Sequence, residues 1–512
     1  MVTETSSELV ERIQRVENSL PPISFGKNKS PLQLTLRKLM EIYRVPGLSL
    51  AVIDNFEIAW AKGYGVTEAG NSNPVTLHTL FQAGSVSKPI AAMGALFLAE
   101  QGKLQLDEDV NQKLTTWNVP DNEFTKEQKV TLRRILSHNA GLTVRFFPGY
   151  AVDAQLPALV QILNGELPAN TDPVRVDFVP GTKWRYSGGG LVVAQQLMMD
   201  VTGRPFSTLM RENVFDKIGM HDSSFEQPLS SENVELAASG TYWNGNVVPG
   251  KWHIYPEMAA AGLWTTPTDL AKLAIEISLS QQGKSNRILS QAMAFEMLTP
   301  QSKNVTEFAL GNEKHPDRMG LGFFLGDQTC PNLFGHIGDD EGFQAMLVMN
   351  SDSGQGAAIM TNSQVGMLVG DYLMENIAKE YGWKNHVLPN RPRLGADAVL
   401  IAIAQMKGAQ AALKQYHLFK EIRPVRYTPD QNTLLIFSYS LLASNQIESA
   451  VEAMKLEVQE YPDFWNAYDT LAEIYAAIGE KQLSIENYEK SIELNPENRN
   501  AIEKMKKLKE QN

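Results

Sequence analysis

The strongest constraint on this chain is an internal repeat near its C-terminus. The segment LLIFSYSLLASNQIESAVEAMKLEVQEYP (434–462) aligns with YDTLAEIYAAIGEKQLSIENYEKSIELNP (468–496) at a spacing of 34 residues, Pro462 matching Pro496 and Ala450 matching Ser484. A period of this length corresponds to two antiparallel helices per unit. Such units bury their shared apolar seam only by stacking on a neighbour. Leu400 to Phe419 reads as a degenerate unit ahead of the two copies, and Asn498 to Lys509 as a polar capping helix.

A chain of 512 residues exceeds what one hydrophobic core serves, so the array must adjoin a larger domain. The stretch HVLPNRPRLG (386–395) packs two prolines, two arginines and a glycine into ten residues, which is a linker composition. The expected organisation is an N-terminal helix over 1–30, a catalytic-sized domain over 31–385, a linker over 386–395 and an all-helical repeat domain over 396–512. With 43% apolar and 20% charged residues the chain is globular. Its net charge of -12 argues against nucleic acid or an anionic membrane as a partner. Cys330 is the only cysteine, which excludes an intramolecular disulfide, a CxxC pair and a cysteine-based zinc cluster. The first twenty residues hold no apolar core of a signal peptide, so the expected compartment is the cytoplasm, or the periplasm if a leader precedes them. The longest apolar stretch, Ile90 to Ala99, is about half a membrane span and reads as a buried helix.

Within 31–385 the pattern is α+β. Residues 1–30 suggest an amphipathic helix and a turn at Leu20-Pro21-Pro22. Leu48 to Ile53 and Ile58 to Val66 read as strands joined at Asp54-Asn55. Several helical patterns fill about 105 to 300. Strand signals return at Gly320 to Leu325, Leu333 to His336, Phe343 to Met349 and Ala357 to Thr361, followed by a helix from about Val365 to Tyr381. This order predicts one antiparallel sheet built from both ends of the domain and flanked by helices, with a helical insertion beside it.

Ser-x-x-Lys occurs at Ser24 to Lys27, which reads as a loop, and at Ser85 to Lys88, where a strand and turn open the apolar helix. There serine and lysine share a helix face, and a buried lysine can accept the serine proton. Taken alone, the pair reads more readily as a helix cap and a solvated lysine. Tyr186-Ser187-Gly188 and His336-Ile337-Gly338 follow in the chain. His138, in Ser-His-Asn-Ala-Gly, reads as a turn or core histidine. The chain contains no Gly-x-Ser-x-Gly, His-Glu-x-x-His, Walker A loop or Gly-x-Gly-x-x-Gly, and no metal or nucleotide cofactor is implied.

Together these motifs resemble the superfamily of class C β-lactamases, penicillin-binding proteins and D-aminopeptidases, whose pattern is Ser-x-x-Lys, Tyr-x-Asn and Lys-or-His-x-Gly. Thr131 to Leu142, Pro180 to Ser187, Gly219 to Phe225 and Ala261 to Thr266 agree with that family's surroundings, and the likeness spans about 31 to 384. The resemblance implies a β-lactamase/transpeptidase-like fold with Ser85 as nucleophile and Lys88 and Tyr186 as proton relay. It further implies an oxyanion hole from the backbone N–H groups of Ser85 and Asp339, with His336, Gly338 and Gly188 lining the substrate site. Gly188 departs from the pattern, standing where the family has asparagine. The 34-residue copies resemble tetratricopeptide repeats, which implies a protein or peptide partner. The function expected is a serine acyl hydrolase acting on an ester or amide, an esterase or small-peptide hydrolase working through a Ser85 acyl-enzyme, and the partner implied is a small-molecule ester, peptide or β-lactam. D,D-peptidase and β-lactamase activities remain alternatives, as does an idle scaffold that recruits a partner.

Overall fold

Seven strands build one antiparallel sheet. We number them β1 (Gly47–Asp54), β2 (Glu57–Gly65), β3 (Arg318–Met319), β4 (Phe324–Leu325), β5 (Leu333–Asp340), β6 (Phe343–Asn350) and β7 (Gln355–Thr361), and their order across the sheet is β2-β1-β7-β6-β5-β4-β3. The computed structural model describes residues 6–23, 32–302, 305, 318–327, 329–383, 396–422, 428–496 and 498–510. Strands from the start and end of the domain thus pair directly, Leu50 facing Ile359 and Ala51 facing Ala358. The turn from β1 to β2 holds Asn55 and Phe56 at positive φ (53° and 64°), as a two-residue hairpin loop of this hand requires.

Both faces of the sheet are covered, so its strands read as nearly continuous apolar runs. Ala51, Ile53, Leu347, Met349, Ala358 and Met360 join the main core, towards the helix Pro267–Gln281. The alternate residues Leu50, Val52, Val348, Ala357 and Ile359 are equally buried on the opposite face. There the helix Gly366–Glu380 packs, with Gly370 against Ile359. The regular structure of the insertion between β2 and β3 is chiefly helical, joined by long loops, and includes α1 (Ser87–Glu100), α2 (Gly188–Thr202) and the short α3 (Met258–Ala261). Nearly all of α1 is buried, and α3 lies against both α1 and α2.

Three local expectations change. Leu20-Pro21-Pro22 is no turn but part of a strand, Leu20–Ile23, paired antiparallel with Leu32–Leu34. The single strand expected over Gly320 to Leu325 is the hairpin of β3 and β4. It is interrupted where Gly322 takes a positive φ (92°) and its N–H leaves the sheet for the Leu136 carbonyl, 2.8 Å away. The strand expected over Leu333 to His336 runs on to Asp340, so the His-x-Gly motif lies within it. Ser24 to Lys27 and the linker His386 to Gly395 lie outside the described residues.

The chain divides into two compact units, Met1–Ser19 with Val45–Tyr242 and Asn246–Asn390, and Leu20–Arg44 with Trp243–Gly245 and Arg391–Asn512. Residues 32–44, assigned above to the larger domain, therefore group with the C-terminal helices. The reason is local: the helix Leu36–Tyr43 turns Leu36, Leu39, Met40, Ile42 and Tyr43 inward, and within this second unit the Tyr43 hydroxyl donates to Asp397 at 2.9 Å. The same unit holds α4 (Thr433–Ala443), α5 (Ile447–Glu460), α6 (Trp465–Ala477) and α7 (Lys481–Leu494). The bounds of α5 and α7 are 34 residues apart at both ends, and small buried residues recur at the same offset, Ser438 with Ala472 and Ala450 with Ser484. Among the described residues no helix is long and apolar enough to cross a membrane.

Candidate active site

Ser85 sits at a junction that several elements define. The strand Phe81–Gln82 pairs with Trp264–Thr265, a 3₁₀ turn covers Gly84–Val86, and α1 follows. Ser85 is half-buried, whereas Lys88, one turn on, is 2% exposed. The Lys88 Nζ donates to Ser85 Oγ at 2.8 Å and to the Ala260 carbonyl at 2.7 Å. Ala260 belongs to α3, which Gln195 of α2 clamps: its Oε1 accepts the Ala259 N–H at 2.9 Å and its Nε2 donates to the Pro256 carbonyl at 3.1 Å. The lysine is thus aimed at the serine by contacts that span 172 residues of sequence.

Tyr186 lies just before the N-cap of α2, where Ser187 Oγ accepts the Gly190 N–H at 3.0 Å. Tyr186 is 3% exposed, and its ring centroid lies 5.0 Å from Lys88 Nζ. It is packed by His138 (centroids 4.4 Å), Phe324 (6.3 Å, stacked) and His336 (6.2 Å). His138 is a turn residue at φ 58° and a buried one, its Nδ1 accepting the Ser187 N–H at 3.1 Å. Burial, then the Lys88 charge, holds it well below the usual histidine range, so it stays neutral. Its place against the tyrosine ring makes it a support for Tyr186.

Strand β5 supplies the opposite wall. Of β5, strand β4 pairs with Phe334 and Gly335 alone, leaving His336 to Asp340 an open edge along the 3₁₀ turn of Ser85. The approach is so close that a Cβ on Gly338 would collide with the Ala83 carbonyl and stand 3.0 Å from the Ser85 nitrogen. Gly84, at φ 50°, meets the Asp339 nitrogen likewise, where a Cβ would come within 2.5 Å. The backbone N–H groups of Ser85 and Asp339 are brought together by this contact of two glycines. Asp340 is buried on the same segment; the Gly84 backbone nearby favours its ionised form, but burial prevails and raises it well above the usual carboxylate range. His336 is 1% exposed and its Nδ1–H donates to the Ile337 carbonyl at 2.6 Å. Burial and then Lys88 push it down to about 3, so it carries no charge at neutral pH.

Gly188 has ordinary backbone angles, yet the room beside it is taken. A Cβ there would stand 3.0 Å from both the Arg145 carbonyl and the Phe147 ring. Its N–H donates to that carbonyl at 3.1 Å, the Gly189 N–H to the Val144 carbonyl at 2.9 Å, and Ser187 Oγ to the Thr143 carbonyl at 2.8 Å. The loop 143–147 is laid against the helix start where an asparagine side chain would project.

The family model described as Beta-lactamase matches residues 32–380. The chain belongs to the Beta-lactamase family. An unguisins hydrolase, ungD', of Aspergillus campestris is 28% identical over 246 residues, 44% of this chain and 42% of that protein. A β-lactamase of Pseudomonas fluorescens is 28% identical over 263 residues, 51% of this chain and 67% of its own length. This chain therefore spans about two fifths of the fungal relative. Among solved structures, the octameric penicillin-binding protein homologue from Pyrococcus abyssi superposes with a TM-score of 0.55 at 21% identity, over 73% of this chain and 80% of that one, which shows a shared fold.

In this member of the Beta-lactamase family the sequence motifs do not announce several residues of the site. Phe324 and Trp184 wall the Tyr186 ring, and the Ala260 carbonyl holds Lys88. Glu257, immediately before α3, is fully buried with neither carboxylate oxygen in a hydrogen bond of ordinary geometry; Tyr150 nearby favours its ionised form, but burial prevails and raises it to about 7. Only the position of Glu257 next to the Ala259-Ala260-Ala261 run could have signalled it. Among the described residues no group of three or more His, Cys, Asp or Glu side chains is placed to hold a metal ion.

Proposed function

We propose that this protein is a serine acyl hydrolase in which Ser85 forms an acyl-enzyme with an ester or amide. The observation that carries the reading is the 2.8 Å contact of Lys88 Nζ with Ser85 Oγ, the Tyr186 ring being 5.0 Å from that nitrogen. Ser85 Oγ attacks the carbonyl carbon while its proton passes to the Lys88–Tyr186 pair. The N–H groups of Ser85 and Asp339 receive the developing oxyanion, each such donor contributing ~10² to 10³ in rate. As the C–O or C–N bond breaks, the pair returns the proton to the leaving alcohol or amine. Water then attacks the acyl-serine, and Ser85 regains its hydroxyl as the acid departs.

Simple esters suit this site better than acylamido substrates. Gly188 offers no amide to an acylamide carbonyl, and the absent contact is worth ~0.5 to 1.5 kcal/mol, up to about tenfold in kcat/KM. The names of the relatives support hydrolysis as the class. D,D-peptidase and β-lactamase activity are the nearest rivals, and an idle scaffold is the rival of another kind. The helix pairs of the second unit suit tetratricopeptide-type stacking, and a peptide along them is part of the same proposal. A fluorescent fluorophosphonate tests the centre: labelling at Ser85 is expected, and an unlabelled Ser85 in folded protein would favour the scaffold. A p-nitrophenyl ester compared with a chromogenic cephalosporin ranks the substrates.

A further inference from the structure

Glu257 is buried close to the reaction centre and takes no part in the proposed reaction. Its side chain is fully buried, and neither oxygen is in a hydrogen bond of ordinary geometry. One residue of α2 holds the chain on both sides of it, since Gln195 donates to the Pro256 carbonyl at 3.1 Å and accepts the Ala259 N–H at 2.9 Å. With the backbone fixed on either side, the carboxyl turns out to solvent only if this clamp opens.

Among the described residues, the groups that face Glu257 are phenols and an acid. Tyr150, from the strand Tyr150–Ala151, has a hydroxyl that also accepts the Asn170 N–H at 3.3 Å. Tyr255, two residues earlier in the chain, accepts the Glu341 N–H on its hydroxyl at 3.0 Å. From β5 comes Asp340, itself buried with Oδ2 in no hydrogen bond, and Asp339 and Glu341 flank it. The Lys88 ammonium is directed at Ser85 and the Ala260 carbonyl. Burial keeps Glu257 protonated up to about 7. Above that pH a carboxylate without a counter-charge stands in a dry site, and a fold relieves it by admitting water or by moving the group outward. Either movement reaches the reaction centre along a short path. The Glu257 carbonyl accepts the N–H groups of Ala260 and Ala261, both at 2.9 Å, and so starts the single turn of α3. Within that turn the Ala260 carbonyl holds Lys88 Nζ at 2.7 Å, and Lys88 reaches Ser85 Oγ at 2.8 Å.

We propose that Glu257 is a positioning residue for Lys88, acting through α3, and that the relay is aligned only while Glu257 is protonated. The inference rests on the acyl-hydrolase reading and adds a residue to it. A shift of about 1 Å at a proton-transfer group costs up to ~10²-fold, so acylation is expected to slow by ~10- to 100-fold as Glu257 ionises. Rates of fluorophosphonate labelling of Ser85 in the full chain, followed from about pH 6 to about pH 9 with Ser85→Ala as the background, test it. The rate at the alkaline end relative to the acid end is expected to fall in the unmodified protein and to recover by ~10-fold or more in Glu257→Gln, which keeps the shape and cannot ionise. Tyr150→Phe removes the hydroxyl that favours the ionised form and should move the fall to higher pH. A merely structural role lowers the rate at every pH alike. No alkaline fall in the unmodified protein, or a fall that persists in Glu257→Gln, overturns the proposal and leaves the hydrolase standing. If Glu257→Gln does not fold, a fall that Tyr150→Phe leaves in place overturns it instead. Folded protein unlabelled at Ser85 at every pH overturns both.

Discussion

Ser85 and Lys88 are three residues apart, so a helix start alone can bring them to one side, but spacing does not bury the lysine. The Ala260 carbonyl and the clamp from Gln195 do that, and they make Lys88 a directed group. Ser85→Ala is expected to abolish fluorophosphonate labelling and ester turnover with little change in Tm, since its hydroxyl caps no helix. Lys88→Met and Tyr186→Phe should each slow acylation by ~10² or more, read as the single-turnover rate. At Gly188 a side chain has no strained φ to contend with, yet its Cβ would press on the Phe147 ring and the Arg145 carbonyl. Gly188→Asn is therefore expected to lower Tm and to reduce turnover of esters and cephalosporins alike. A cephalosporin rate that rises without loss of Tm would show that the loop yields.

At the scale of elements, α3 and β5 place buried ionisable groups close to the reaction centre, and their titrations pull stability in opposite directions. The unfolded chain protonates a histidine near 6.5, but folded His336 resists until about 3. Stability that this residue contributes above pH 6.5 is therefore lost progressively as pH falls towards 3. Glu257 behaves oppositely: folded, it keeps its proton up to about 7, against an ordinary value of 4.5, so its contribution is present at low pH and is lost as pH rises through 7. Glu257→Gln should accordingly raise Tm at pH 8, by ~2 °C or more, and the gain should shrink at pH 5. Thermal melts of both proteins at the two pH values decide it; an equal effect at both would mean that charge at Glu257 is not the cause.

For the whole molecule, the two units do not follow the order of the chain. The helix Leu36–Tyr43 belongs with the C-terminal helices, its apolar face filled by Leu36, Leu39, Met40 and Tyr43 and its Tyr43 hydroxyl on Asp397. A chain ending at residue 388 keeps that helix and loses Asp397. It is expected to expose the apolar face and to aggregate or melt several degrees below the full chain, whereas a version that also lacks residues 20–44 should be more soluble. Light scattering and melting curves of the three proteins test this. What the sequence determined by itself is local and periodic. The 34-residue offset is visible because each helix pair repeats its own small buried residues, and strands such as Leu48 to Ile53 are visible because burial on both faces makes them continuous apolar runs. The three motifs could be read as one site only through family likeness, since spacing cannot show that Ser85, Tyr186 and His336 meet. Tertiary structure decided what rests on approach between distant segments. It brought Gly338 against the Ser85 turn, burial stripped His336 of its charge, the loop 143–147 took the space beside Gly188, and an N-terminal helix joined the C-terminal unit. Contacts between residues tens to hundreds of positions apart leave no period in a single sequence, and only the folded chain, by excluding water and closing space, sets their chemistry.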